Sequence, residues 1–163
     1  MTVLRLVRIG GVVLATLFLG VVAARWATSK IRPPVPLGLS DGRLSSCPDR
    51  PNCISTQAVD PDQQFPPIPL TRSASAAMAD FMLILREMPR CRIVTASDHY
   101  LHAEFRSALF GFVDDLEIAC DETTKTIHLR SASRVGYSDF DVNRRRAEEI
   151  AERYQERLSV EAL

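Results

Sequence analysis

The strongest constraint on this chain is a run of 16 uncharged, mostly apolar residues, 9–24, preceded by Arg5 and Arg8 and followed by Arg25. The run has no polar face, so it cannot lie on a soluble core as an amphipathic helix. Two readings fit it. A signal peptide would use the basic start, the apolar middle and the small residues Val22, Ala23 and Ala24 as a cut site. An uncleaved anchor would add Trp26 at the interface, with Arg8 and Arg25 snorkelling. Sixteen helical residues reach about 24 Å, short of a ~30 Å hydrocarbon core. Residues 4–7 and 26–27 close that gap. Basic residues just past the run fit a cleaved mature start poorly, so the expectation is a single-pass membrane anchor. Secretion after cleavage is the alternative.

Charge divides the chain at the same place. Residues 1–32 carry five basic side chains and no acid; the rest hold 15 basic against 20 acidic. That balance is opposite to the one phosphate binding requires, which excludes nucleic acid as a partner. Arg5 and Arg8 favour an N-terminus inside, whereas Arg25, Lys30 and Arg32 pull the other way. The expectation is a domain outside the cytoplasm. Arg32-Pro-Pro-Val-Pro36 reads as a stiff spacer holding that domain clear of the bilayer. The resulting division is 1–32 anchor or signal, 33–70 extended linker and cysteine loop, and 71–160 folded domain. With 163 residues, 46% hydrophobic and 25% charged, the chain has room for one globular domain and is not disordered.

Residues 73–88 read as a helix that Ser73 caps and Pro89 stops, with Ala77, Met78, Phe81 and Leu85 on one side. Four strand-like segments follow at 91–96, 100–106, 112–120 and 126–134. Joining the last two across residues 121–125 sets Cys120 opposite Ile127, Ile118 opposite Leu129 and Leu116 opposite Ser131, so the apolar faces coincide. Glu117 then meets Arg130 on the outer face as a surface ion pair. A second helix starts near residues 139–141, where Ser138-x-x-Asp141 resembles a capping box. The expected fold is α+β: an antiparallel four-stranded sheet between two flanking helices, after an N-terminal membrane segment.

Four cysteines behind an export-type segment permit disulfides. Cys47 and Cys53 close a tight loop stiffened by two prolines, and they are the expected pair. Two reduced thiols in a cytosolic turn are the alternative. Cys91 and Cys120 fall in strands and read as small reduced core residues. No CxxC pair or histidine spacing builds a metal site, and no phosphate loop, dinucleotide fingerprint or nucleophile elbow occurs, so no cofactor is expected.

The polar residues concentrate at one sheet end. Alternation turns Asp114 inward, opposite Ser133, and Asp115 outward. An inward carboxylate needs a donor or it protonates. Gly136 reads as a positive-φ bend into the last helix. Arg134 starts on the outer face and is expected to wrap around the strand end to join Asp114, Ser133, Tyr137 and Asp139. Arg144, in the helix's first turn, opposes the dipole unless Asp139 and Asp141 or a ligand anion compensate it. These six residues are the candidate ligand site; the alternative is a structural carboxylate cluster. Leu109-Phe110-Gly111-Phe112 is either core or an exposed tip that touches membrane or a partner.

Three blocks carry a family resemblance. Cys47-Pro-Asp-Arg-Pro-Asn-Cys53-Ile-Ser, Gly111-Phe-Val-Asp-Asp115 and Arg130-Ser-Ala-Ser-Arg-Val-Gly-Tyr-Ser-Asp139, followed by Asn143-Arg144, resemble the signature blocks of the domain of unknown function 1499 family, over about residues 38–158. The resemblance implies a small protein with an N-terminal membrane or export segment, and carries over no activity or catalytic residue. The functional expectation is a membrane-anchored envelope module that binds a protein or a small anionic ligand without catalysis. A small enzyme or anion-binding protein built on the Asp/Arg/Tyr cluster is the alternative.

Overall fold

Ser73 is the N-cap of the central helix: its hydroxyl accepts from the Ala76 amide, and Met88 and Pro89 end the helix. The computed structural model describes residues 2–161. In chain order the elements are α1 (Thr2–Thr28), β1 (Cys53–Ser55), a 3-10 turn (Pro61–Gln63), β2 (Ile68–Pro69), α2 (Ala74–Glu87), β3 (Cys91–Ala96), β4 (Tyr100–Arg106), β5 (Val113–Asp121), β6 (Thr126–Ser133) and α3 (Val142–Glu161). The class is α+β. Strands β3 to β6 form an antiparallel meander, and β1 and β2 both pair with β6, at its two ends. The sheet therefore has two short strands more than the expected four, both drawn from the proline-rich lead-in.

The β5–β6 register is the expected one: Asp114 pairs with Ser133, Leu116 with Ser131, Ile118 with Leu129 and Cys120 with Ile127. The turn between them holds it. Asp121 Oδ1 accepts from the Thr123 and Thr124 amides, and Lys125 takes φ +54°.

The helices do not flank the sheet on both sides. Both α2 and α3 pack on one face, where Phe81 and Tyr154 stack at 4.5 Å between ring centroids. Leu101, Ala103, Phe105, Leu116, Ile118, Ile127 and Leu129 meet them there and form the core. Burying a side chain of that size contributes about 1.5–3 kcal/mol, and only this face offers apolar partners to the two helix stripes, because the other carries Glu104, Asp115, Glu117 and Arg130.

The opposite face is covered by residues 31–44. Ile31, Pro33, Val35 and Leu37 turn inward and are half-buried, while Arg32, Pro34 and Pro36 point outward. This strap lies against the sheet: Arg134 Nη1 donates to Ile31 O at 2.9 Å and the Gly38 amide to Glu117 Oε1 at 2.8 Å. The proline segment is thus no spacer holding the domain away. Its extended backbone matches the sheet, and its alternate side chains exclude water from it.

α1 contains a stretch, Val7–Thr28, with mean hydropathy 2.2, whose apolar body is not buried against the protein; only its end, at Thr28, is. It is long and apolar enough to cross a membrane, and Leu14, Leu17 and Phe18 are exposed around it. Its last turn grips the domain. Arg25 Nη1 donates to Ala108 O at 2.8 Å, and the Thr28 hydroxyl lies 3.0 Å from Phe110 O. Gly111, beside this contact, takes φ +70°, a backbone conformation that L side chains rarely adopt, so the turn itself calls for glycine.

Cys47 and Cys53 are bonded, with Cα atoms 5.6 Å apart. Cys120 is buried, whereas Cys91 is only half-buried at the edge strand, and burial pushes both thiols up to about 11. Replacing Cys47 and Cys53 by Ser is expected to lower unfolding free energy by about 2 kcal/mol, the loop-closure value for so short a ring. Urea denaturation of the oxidised wild type and the double variant checks it; equal midpoints would contradict it.

Candidate functional site

Two polar clusters lie back to back at one end of the sheet, because Asp114 and Asp115 point through opposite faces of β5. On the strap side, Arg134 is held by two carboxylates. Its Nε and Nη2 donate to Asp115 at 2.8 and 2.7 Å, and Nη2 donates to Glu104 at 2.6 Å. His102 Nε2 lies 2.8 Å from Asp115 Oδ1, and Arg92 and Arg106 each donate to Glu104 Oε2 at 3.0 Å. Burial pushes the Asp115 carboxyl up, but the bonds and charges of Arg134 and His102 outweigh it and hold the group below the ordinary carboxylate range. Glu104 follows the same pattern, with Arg134 and Arg92 reversing the effect of burial. Arg134 is raised in turn, first by its bonds to Asp115.

Next to this network sits a second ion pair. Arg130 Nη1 donates to Glu117 Oε2 at 3.0 Å, with side chains 1% and 0% exposed. The expected surface pair is therefore a buried one, and the strap is the reason. Glu117 Oε1 also accepts from Tyr100 Oη and the Gly38 amide, both at 2.8 Å. Burial and that bond to Glu117 push the Tyr100 hydroxyl well above its ordinary range. Arg130 Nε and Nη2 have no hydrogen-bond partner among the described residues, so Glu117 alone answers this charge.

On the helix side, Asp114 accepts from Ser133 Oγ at 2.6 Å and from Arg146 Nη2 at 2.8 Å. Arg146 also donates to Asn143 Oδ1 at 2.7 Å and lies 4.4 Å from the Phe105 ring centroid. Asn143, 1% exposed, is the hub: Ser131 Oγ donates to its Oδ1, and its Nδ2 reaches Asn52 O, Ser133 Oγ and Asp139 Oδ2. Asn52 Nδ2 donates to Gly136 O at 2.8 Å. Gly136 has the expected positive φ, +91°.

The expected six-residue site is thus divided. Asp114, Ser133 and Asp139 come together. Arg134 does not join them: its alternation keeps it on the outer face, where two carboxylates already occupy its fork. Tyr137 is 73% exposed and stands outside the network. Arg144 donates instead to Asp62 O and Gln64 O, at 2.8 and 3.1 Å. The expected capping box is replaced by Asp139 alone, which accepts from the Asp141 and Asn143 amides at 3.1 and 2.8 Å. Phe140 and Asp141 at φ +56° and +61° make that geometry, with Ser138 bonded to Phe140 rather than to Asp141. Sequence reasoning missed Arg146 and Asn52 as cluster members. Asn143 lay just beyond the third block, which was the one available signal.

The three sequence blocks converge here. The disulfide loop brings Asn52, the glycine block brings Asp114 and Asp115, and the serine-arginine block brings Ser131, Ser133, Arg134, Gly136 and Asp139. Beside Asp114 opens a cavity of about 440 Å³, lined by Phe112, Ser133, Val135, Asp139, Phe140 and Val142 among others. A larger groove, about 680 Å³, lies between α2 and α3 at Glu87, Glu149 and Arg153, and borders none of the blocks. Among the described residues no group of three or more His, Cys, Asp or Glu side chains is arranged to hold a metal ion.

The family model described as protein of unknown function (DUF1499) matches residues 43–153. No curated protein and no solved structure matches the chain.

Glu117→Gln leaves Arg130 buried without a countercharge, and is expected to destabilise the fold by about 3–5 kcal/mol. Chemical denaturation checks it; a loss under about 1 kcal/mol would mean that the pair is solvated. A pH dependence follows from Asp115 and Glu104. Both are held low in the folded state, so their contribution is complete above the unfolded carboxylate range of about 3.9–4.3. As pH falls further the unfolded chain takes up protons first, and stability declines until the folded groups also protonate. Urea midpoints between about pH 7 and 3 should be flat at first and then fall below about pH 5.

Proposed function

The chain belongs to the DUF1499 family, and on that premise we propose that it is a membrane-tethered, non-catalytic binding or scaffolding module of the cell envelope. Its domain sits on the bilayer surface outside the cytoplasm. The observation that carries this reading is the grip of the last turn of α1 on residues 108–111, through Arg25 and Thr28. If α1 spans the bilayer, Arg25 and Trp26 mark the headgroup level. Ala108 to Gly111 then lie within one helical turn of that level. Leu109 and Phe110, 56% and 42% exposed, become interfacial side chains rather than stray surface apolar groups.

Two further features support the reading. The arginines and carboxylates of both clusters are engaged with one another, which suits a rigid scaffold better than acid–base chemistry. Arg134 and Arg144, the candidates for an anion, are occupied by carboxylates and carbonyls. The Cys47–Cys53 bond suits an oxidising compartment outside the cytoplasm.

The test joins topology to seating. An export-dependent reporter fused to the C-terminus should be active, and alkaline extraction should leave the protein in the membrane. In a Trp26→Phe background, a Phe110→Trp indole should be quenched by phospholipid brominated in the upper acyl chain. Activity of a cytoplasmic reporter would reverse the topology, and an unquenched indole would lift the domain off the bilayer.

A further inference from the structure

The cavity of about 440 Å³ beside Asp114 shares a wall with the loop that α1 grips. Ser107 and Phe112 line it, and they are bonded to each other across that loop: the Ser107 amide donates to Phe112 O at 2.9 Å and the Phe112 amide to Ser107 Oγ at 3.0 Å. The opposite wall is the bend into α3, with Val135, Phe140 and Val142. Phe140 is 85% exposed and held at φ +56°, a backbone conformation that a bulky aromatic rarely adopts, so its ring is presented at the mouth rather than folded into the core. The size falls within the range of about 300–1,000 Å³ usual for ligand pockets.

Chemistry along the cavity changes from mouth to floor. The mouth is apolar, with Phe112 and Phe140. The less exposed part of the lining, its floor, offers oxygen acceptors and a hydroxyl: Asp114, Asp139 and Ser133. Among the described residues, its lining has two carboxylates and no Lys or Arg side chain; Arg146 stands behind Asp114 and is engaged by it. Such a floor favours a head group that carries a hydrogen-bond-donating cation, and disfavours one with a net negative charge and no cation.

Resting on the membrane-seated reading above, we propose that this cleft binds one membrane phospholipid with an amine-bearing, zwitterionic head. The ammonium meets the acceptors around Asp139 and Asp114, and the upper acyl chain leaves between Phe112 and Phe140 toward the bilayer beside α1. The occupant is a lipid rather than a soluble metabolite because the cleft wall is continuous with the loop docked at the end of the apolar helix. A lipid reaches it without leaving the interface.

The experiment uses the full chain reconstituted in vesicles of phosphatidylethanolamine and phosphatidylglycerol in equal parts, extracted in mild detergent and weighed intact by native mass spectrometry. The expected result is one phosphatidylethanolamine retained per chain, about tenfold in preference to phosphatidylglycerol. Phe140→Asn removes the aromatic wall with a residue that tolerates positive φ. It should lower retention about tenfold or more without changing the melting temperature. Equal retention of both lipids, or undiminished retention by Phe140→Asn, overturns the cleft assignment, since lipid around α1 behaves in that way. No retained lipid with the Phe110→Trp indole still quenched rejects the cleft alone. Loss of both signals rejects the cleft together with the seating.

Discussion

Arg134 ties three parts of the molecule together, and the remaining architecture depends on that knot. Its guanidinium joins β6 to Asp115 of β5 and Glu104 of β4, and its third nitrogen holds the carbonyl of Ile31. A guanidinium has donors in a fixed fork and no neutral form to retreat to. It can be buried only where carboxylates and carbonyls already face it. The strap supplies one of those carbonyls and the cover that keeps water out. Because the strap runs directly from α1, the same knot fixes where the apolar helix leaves the domain.

Burying so much charge is costly. An apolar replacement of equal volume would serve stability at least as well, since desolvation of paired ions offsets much of their attraction. What ionic pairing adds is geometry. An apolar outer face would accept the proline-rich segment in many positions. The Glu117 carboxylate, held by Tyr100 and Arg130, accepts from the Gly38 amide only when residues 31–38 lie in one register. The helix-side cluster acts similarly: Asn143 is bonded to the disulfide loop, to β6 and to its own cap, and so sets the direction in which α3 departs.

Adjacent aspartates explain how one short block serves both layers. Asp114 belongs to the helix side with Ser133 and Arg146, and Asp115 to the strap side with His102 and Arg134. Gly111 makes the positive-φ turn whose carbonyl meets Thr28 at the end of α1, and Phe112 walls the cavity. The block thus connects the apolar helix, the cleft and both polar networks within five residues.

Local order was legible in the sequence alone. The α2 cap, the four long strands, the β5–β6 register, the positive φ at Gly136 and the Cys47–Cys53 pair all follow from periodicity, turn chemistry and short loops. Such features involve residues close along the chain, or a hairpin in which a one-residue slip would turn every apolar side chain outward. Residues far apart in sequence decided the rest. Whether Glu117 and Arg130 are wet or dry depends on a segment about eighty residues earlier, whose prolines look the same in a free spacer as in a packed strap. That both helices share one sheet face, that Arg134 stays with Asp115, and that Arg146 rather than Arg144 reaches Asp114 are matters of three-dimensional packing. Periodicity says which side of an element is apolar, and only the assembled layers say what lies against the other side.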